Sequence, residues 1–325
     1  MELAFATLDV FTTKRLEGNP LAVVRVPASL RDRLTQPVKQ KIAQEFNLSE
    51  TVFLHDDTSK SGPAAREVDI FTIESELPFA GHPTIGTAVF VRHHLGGDGD
   101  GVRALITKAG PISIEPAPFQ PRGIRAAIPH DVRVHAQTLR EVLPSAEAAS
   151  LHPNPAIRAA ELDAPVVSIV KGMTFVLVRL PSLGLLGDVR SARLDFGGLP
   201  APLLDEGWRE SFVSRYYYVD VEDEGEGESG EDVRCLRTRM VELGFEDPAT
   251  GSAATALGAY LTLAEEKRGR RFRMTQGVEM GRRSVISVET TLARGEDEAE
   301  QLRLGHVYLS GTAVVVMQGT LSVDA

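Results

Sequence analysis

The sequence predicts an α+β protein of two similar domains, each a curled β-sheet wrapped around a central helix. Three observations lead there. Two helical stretches, Ile85–Val91 and Ser252–Ala264, are apolar all round, and the second has no polar face until Glu265. A helix of that kind in a soluble protein is buried on every side. Each stretch is surrounded by strand-like runs, as a helix inside a curled sheet would be. The length, 325 residues, suits about two domains.

The elements follow in order. Leu3–Phe11 reads as a strand, Gly18-Asn19-Pro20 as a turn and Leu21–Val26 as a second strand. Leu30–Phe46 reads as a helix, with Leu34, Val38, Ile42 and Phe46 recurring every four residues. Thr51–Leu54 and Val68–Ile73 are strand-like. A helix then runs from about Pro83 to Leu95, with proline in its first turn and Gly96-Gly97 as its stop. Strands near Ala104–Lys108 and Ile112–Glu115 complete the first half. The loop carrying Pro116, Pro118 and Pro121 marks the boundary, giving domains of 1–118 and 119–311, with the last strand, about 312–325, a candidate to return to the first. The second half repeats the style, with strands at Val166–Val170, Thr174–Arg179, Phe212–Val219 and Val233–Thr238. A helix from Ser252 to Arg268, stopped by Gly269, precedes strands near Val285–Thr290, Leu302–Val307 and Ala313–Met317.

Composition narrows the function classes. Hydrophobic residues make up 42% and charged residues 25%, ordinary for a globular chain. A net charge of -10 argues against a nucleic-acid partner, because phosphate binding relies on clustered Lys and Arg. No apolar run is long enough to span a bilayer, and Met1–Phe5 lacks the order of a signal peptide. Cys235, the single cysteine, cannot form an internal disulfide and reads as a buried structural residue. These features suit a soluble cytosolic protein. The eight histidines show no H-x-x-x-H or H-E-x-x-H spacing, so metal ligation lacks support. The phosphate-loop, dinucleotide-binding and G-x-S-x-G motifs are absent, and no cofactor is expected. The acidic run Glu222–Asp232, seven acids and no base, reads as a solvated loop rather than a docking site for a basic partner.

The chemistry gathers at two helix starts. Asp247-Pro-Ala-Thr-Gly-Ser252 precedes one apolar helix, and Ala80-Gly-His-Pro-Thr84 precedes the other. Helix N-termini offer unpaired N–H groups and partial positive charge to a carboxylate or a developing oxyanion. His82, between Gly81 and Pro83, can cap the helix, but it also titrates near neutrality and suits acid–base work. Asp247, Thr250 and Ser252 are more capping groups than one helix needs, which points some of them at a ligand. Gly251 lets a substrate approach the backbone. Glu50, by contrast, opens an apolar strand and by itself reads as a solvated edge residue.

Taken together, the motifs resemble the PhzF family of phenazine-biosynthesis-like isomerases and epimerases. The resemblance is carried by Asp9–Thr12, Gly18–Val23, Ile42–Phe53, Leu77–Ala88 and Gly244–Ala254, with a weaker match at Gln276-Gly277 and Gly281-Arg282. It implies the diaminopimelate-epimerase-like fold, two pseudo-symmetric β-barrels each around a helix, with the site in the cleft between them. It also implies catalysis without metal or organic cofactor, and a homodimer. Carried across, Glu50 matches the catalytic acid–base carboxylate. His82, Asp247 and Ser252 match polar groups that contact substrate and handle protons, and Ser49, Gly81 and Gly251 match neighbouring contacts. The superfamily's two-cysteine racemases carry a thiol at each helix turn. Ala80, Gly81, Pro248 and Ala249 stand there instead, which disfavours two-thiol racemisation. The implied function is a cofactor-independent isomerase that moves a proton on a small carboxylate-bearing metabolite. The alternatives are a small-molecule-binding or regulatory protein with little turnover, and a racemase or lyase using the same cleft.

Overall fold

A computed structural model of the chain describes residues 1–56, 62, 64–96, 101–144, 150–191, 194–222, 233–242, 244–265, 269–293 and 303–324. Expectations that fall on Gly97, Asp223–Asp232, Arg268 and Leu302 lie outside them. The chain divides into two units, Met1–Ile128 with Leu309–Ala325, and Pro129–Tyr308.

The first unit is built on β1 (Glu2–Val10), β2 (Asn19–Val26), β3 (Thr51–His55), β4 (Ala65–Phe71), the short β5 (Glu76–Leu77), β6 (Ala104–Thr107), β7 (Gly110–Pro116) and β8 (Ile124–Ala127). Its helices are α1 (Gln36–Phe46) and α2 (Gly81–His94). α1 starts six residues later than the four-residue apolar spacing suggests, because Thr35 is extended as N-cap and Pro37 fits only the first turn. β1 to β2 is antiparallel, β2 to β3 parallel, β3 to β4 antiparallel, β4 to β6 parallel and β6 to β7 antiparallel.

The second unit holds β9 (Arg133–Val134), β10 (Val166–Val170), β11 (Met173–Arg179), β12 (Phe212–Val221), β13 (Val233–Glu242), β14 (Phe245–Asp247), β15 (Gly269–Gln276), β16 (Ser284–Ala293) and β17 (Arg303–Gly311), the last running past the unit boundary. Its helices are α3 (Leu139–Val142), α4 (Pro155–Asp163), α5 (Leu183–Asp188) and α6 (Gly251–Ala264). From β10 through β11, β12, β13 and β15 to β16 the pairing runs antiparallel, parallel, antiparallel, parallel, antiparallel. The first unit follows the same order of senses, so the topology repeats. In both units the buried helix is the crossover between two parallel strands, β4 and β6 in one, β13 and β15 in the other.

The chain ends in β18 (Ala313–Ser322), which pairs antiparallel with β1 from Glu2↔Ser322 to Val10↔Ala313. Ile124–Ala127 also belongs to the first unit, because β8 pairs with β7 through Ile114↔Ala126. The boundary therefore falls at 128/129 rather than 118/119, since the proline-rich loop only turns the chain back onto its own sheet.

α2 is buried continuously from Gly81 to Val91 and packs on β1, β2, β3, β8 and β18. Those strands include both ends of the first unit's pairing order, so its sheet curves round the helix. α6 packs on β10, β11, β15 and β16, and its buried face includes Ala253, Ala254, Ala256, Leu257 and Leu261. Among the described residues, no helix is long and apolar enough to cross a membrane.

Candidate active site

α1 is capped at Asn47 in a left-handed conformation, and four residues later the chain enters β3, whose five residues are all buried. Glu50 occupies that junction, its side chain 18% exposed. Its Oε2 is buried and has no hydrogen-bond partner among the described residues. It lies 3.4 Å from His82 Nδ1 on the second residue of α2. Burial pushes the Glu50 carboxyl above its ordinary 4.5, against a smaller opposing effect of a hydrogen bond with the exposed Ser49. Ionising a carboxyl in a desolvated setting is costly, so burial favours the protonated form of Glu50. The reading of Glu50 as a solvated edge residue is thereby corrected: its Oε2 is buried beside His82 of α2.

Both buried helices begin without a side-chain cap. Ala80 is the N-cap of α2 and Thr250 the N-cap of α6, and neither end has a side-chain cap hydrogen bond. The surplus of capping groups at 247–252 goes elsewhere. Thr250 Oγ1 donates to Asp247 Oδ2 at 2.6 Å, and Ala249 N donates to Asp247 Oδ1 at 3.4 Å. Gly251, buried, is the first residue of α6, and Ser252 follows it, half-buried.

A residue that side-chain chemistry alone does not single out completes this turn. Gln276, the last residue of β15 and fully buried, donates from Nε2 to Asp247 O at 2.8 Å and to Thr250 Oγ1 at 2.9 Å. Its Oε1 accepts from Thr250 N at 3.1 Å and from the Tyr216 hydroxyl at 3.0 Å. The only sequence signal for it was the weak Gln276-Gly277 match. Gly277 has φ +74, and a Cβ there would sit 2.7 Å from Pro248 O, so only glycine lets the end of β15 approach this turn.

Glu50, His82, Ser49 and Gly81 thus assemble in the first unit, and Asp247, Gly251 and Ser252 in the second. Cys235 is buried in β13, with Arg273 Nη2 3.4 Å from its sulfur, and belongs to neither group. Among the described residues, no group of three or more His, Cys, Asp or Glu side chains could hold a metal ion.

The sequence profile of the PhzC-PhzF family, described as phenazine biosynthesis-like protein, matches residues 8–319. The chain belongs to this family. An uncharacterized isomerase of Mesorhizobium japonicum is 35% identical over 330 residues, covering 96% of each chain. The trans-2,3-dihydro-3-hydroxyanthranilate isomerase of Pseudomonas aeruginosa is 30% identical over 334 residues, covering 97% of this chain and 98% of that one. A PhzF-family protein of Bacillus anthracis has the same fold, with a TM-score of 0.69 at 22% identity over 99% of this chain and 100% of the other. By reaction class the chain is a PhzF-like isomerase, and its α+β fold is that of the family.

Proposed function

We propose that the chain is a cofactor-independent isomerase that removes a proton from one carbon of a small carboxylate-bearing substrate and returns it to another. Glu50 is the acid–base residue. The observation that carries this reading is its buried Oε2, 3.4 Å from His82 Nδ1 and held above the ordinary carboxylate range. A base whose pKa is raised toward the working pH is better matched to a weak carbon acid. In the step, the C–H bond gives its proton to the Glu50 carboxylate while its electron pair forms a new double bond. The existing double bond shifts, and its far carbon takes the proton back. No atom or electron is gained or lost, so no redox partner is needed.

His82, and on the second unit Asp247, are the remaining proton-handling groups. Ser49, Gly81, Gly251 and Ser252 contact the substrate. Two uncapped helix starts support a carboxylate-bearing substrate and a transition state that gathers negative charge. The relative from Pseudomonas aeruginosa supplies a first candidate, trans-2,3-dihydro-3-hydroxyanthranilate. The homodimer implied by the resemblance is to be checked by light scattering.

The test uses that compound in deuterated water. The wild type is expected to isomerise it and place solvent deuterium in the product. Glu50→Gln should lower turnover by about 10²–10⁴-fold, the usual worth of a general base, with binding largely kept. Full activity in Glu50→Gln would eliminate the assignment.

A further inference from the structure

A directed chain of hydrogen bonds runs through the core of the second unit and ends on Asp247. Tyr216 on β12, Thr238 on β13 and Gln276 on β15 are each fully buried, and Thr238 and Gln276 are register partners. The Tyr216 oxygen is 3.0 Å from both Thr238 Oγ1 and Gln276 Oε1. An amide oxygen can only accept, so the tyrosine proton points to Gln276 and the Thr238 hydroxyl supplies the other bond. Two donors, Thr250 N and Tyr216, meet Gln276 Oε1, while two acceptors, Asp247 O and Thr250 Oγ1, meet its Nε2. That pattern fixes which way the amide faces. With Thr250 Oγ1 accepting from Gln276, the threonine proton is committed to Asp247 Oδ2. The direction of every bond from Tyr216 to the Asp247 carboxylate is therefore set.

We propose that Gln276 is a positioning residue: it clamps both ends of the Asp247–Thr250 turn, fixes the Asp247 carboxylate through Thr250, and sets the start of α6 to which a substrate would bind. Three of its four hydrogen bonds fall on Asp247 and Thr250, the first and last residues of that turn, and the fourth ties it to Tyr216. Burial and the nearby Asp247 charge raise the Tyr216 phenol, which keeps this end of the chain a proton donor. The clamp rests on the proposed role of Asp247, but its geometry can be tested without a substrate.

The first measurement is amide hydrogen exchange in Gln276→Leu, with Tyr216→Phe as a milder variant that removes one of the four bonds to Gln276 and keeps the ring. Exchange at Thr250 is expected to speed up by about tenfold or more in Gln276→Leu, with the interior of α6, Ala256–Leu261, unchanged. Unchanged protection at Thr250 overturns the clamp. If Gln276→Leu does not fold, Tyr216→Phe must still loosen Thr250 relative to the interior of α6, or the clamp fails.

The second measurement follows isomerisation of trans-2,3-dihydro-3-hydroxyanthranilate in a double-mutant cycle with Asp247→Asn. Misplacing one group by about an ångström can cost about 10²-fold in rate. Gln276→Leu should lower kcat by up to that factor, with KM within about threefold. In the Asp247→Asn background the same change should have little further effect. Independent, multiplying effects would show that Gln276 does not act through Asp247. A wild-type rate in Asp247→Asn would instead remove Asp247 from the reaction, leaving the exchange result to decide the clamp alone.

Discussion

Glu50 carries opposite demands. Burial favours its neutral carboxyl in the folded chain, whereas the unfolded chain ionises it near 4.5. Between the ordinary value and the raised one, the folded state therefore binds more protons than the unfolded state, and stability falls as pH rises. The contribution of this residue is fully present below 4.5 and is lost as pH climbs through the raised folded value. Glu50→Gln removes that dependence. The melting midpoint of Glu50→Gln relative to wild type should therefore increase with pH across that interval, while activity is lost. A difference that stays flat or shrinks with pH would contradict the burial argument. The same shift moves the acid limb of kcat/KM above the usual carboxylate range, measurable as a pH–rate profile. At this scale the sequence was least informative. Glu50 looks like any glutamate ahead of a strand, and only its resemblance to a family motif marked it, because desolvation by tertiary packing has no local signature. Gln276 was harder still, since its partners Tyr216 and Asp247 lie 60 and 29 positions away.

The two buried helices were legible because nothing else explains a run of small and apolar residues without a polar face. Their ends, and the strands that approach them closely, were less so. Gly86 shows why. A Cβ there would lie 2.6 Å from both Leu21 Cδ2 and Val10 Cγ2, so the glycine lets α2 settle onto β1 and β2. Glycine to alanine inside a helix ordinarily gains about 1 kcal/mol from propensity. Overpacking a closed core costs about 1–3 kcal/mol, which should win here. Gly86→Ala is thus expected to lower stability in denaturant titrations, and Gly86→Val to lower it more. Gly187 in α5 is the control, because a Cβ there meets nothing within 4 Å. Gly187→Ala should be neutral or stabilising by up to about 1 kcal/mol. Equal effects at both sites would mean that α2 is not held by close approach. Hydrophobic periodicity also missed α4, in which Glu161 is fully buried beneath Tyr217, its Oε1 accepting from the phenol at 2.6 Å. A charged side chain inside the core reads as surface in any hydropathy pattern, because its partner comes from β12.

At the scale of the chain, the repeat of strands around a helix and the return of the last strand to the first domain could be read from the sequence, but which strand it pairs with could not. β18 lies about 300 residues from β1 in sequence, and no local pattern selects one partner strand over another. The ladder runs through nine registered pairs with a shift at Thr7/Leu8. It is extended by the Met1 amino group donating to Val323 O at 2.6 Å and by Phe11 N donating to Thr312 O at 2.7 Å. β18 also packs on α2, the helix that carries His82. Ending the chain after Gly311 would leave β1 without this partner, exposing a row of unpaired backbone groups that invites aggregation. It would also uncover one side of a helix with no polar face. Such long-range pairing must be closed against a large loop entropy, so it should form late in folding and be costly to lose. The truncated chain is therefore expected to lose the cooperative melting of the first unit and, with it, turnover. Near-UV circular dichroism and a sedimentation assay would check both. A soluble truncated protein with the wild-type melting midpoint would show that β18 is dispensable and that the first unit is closed by β1 to β8 alone.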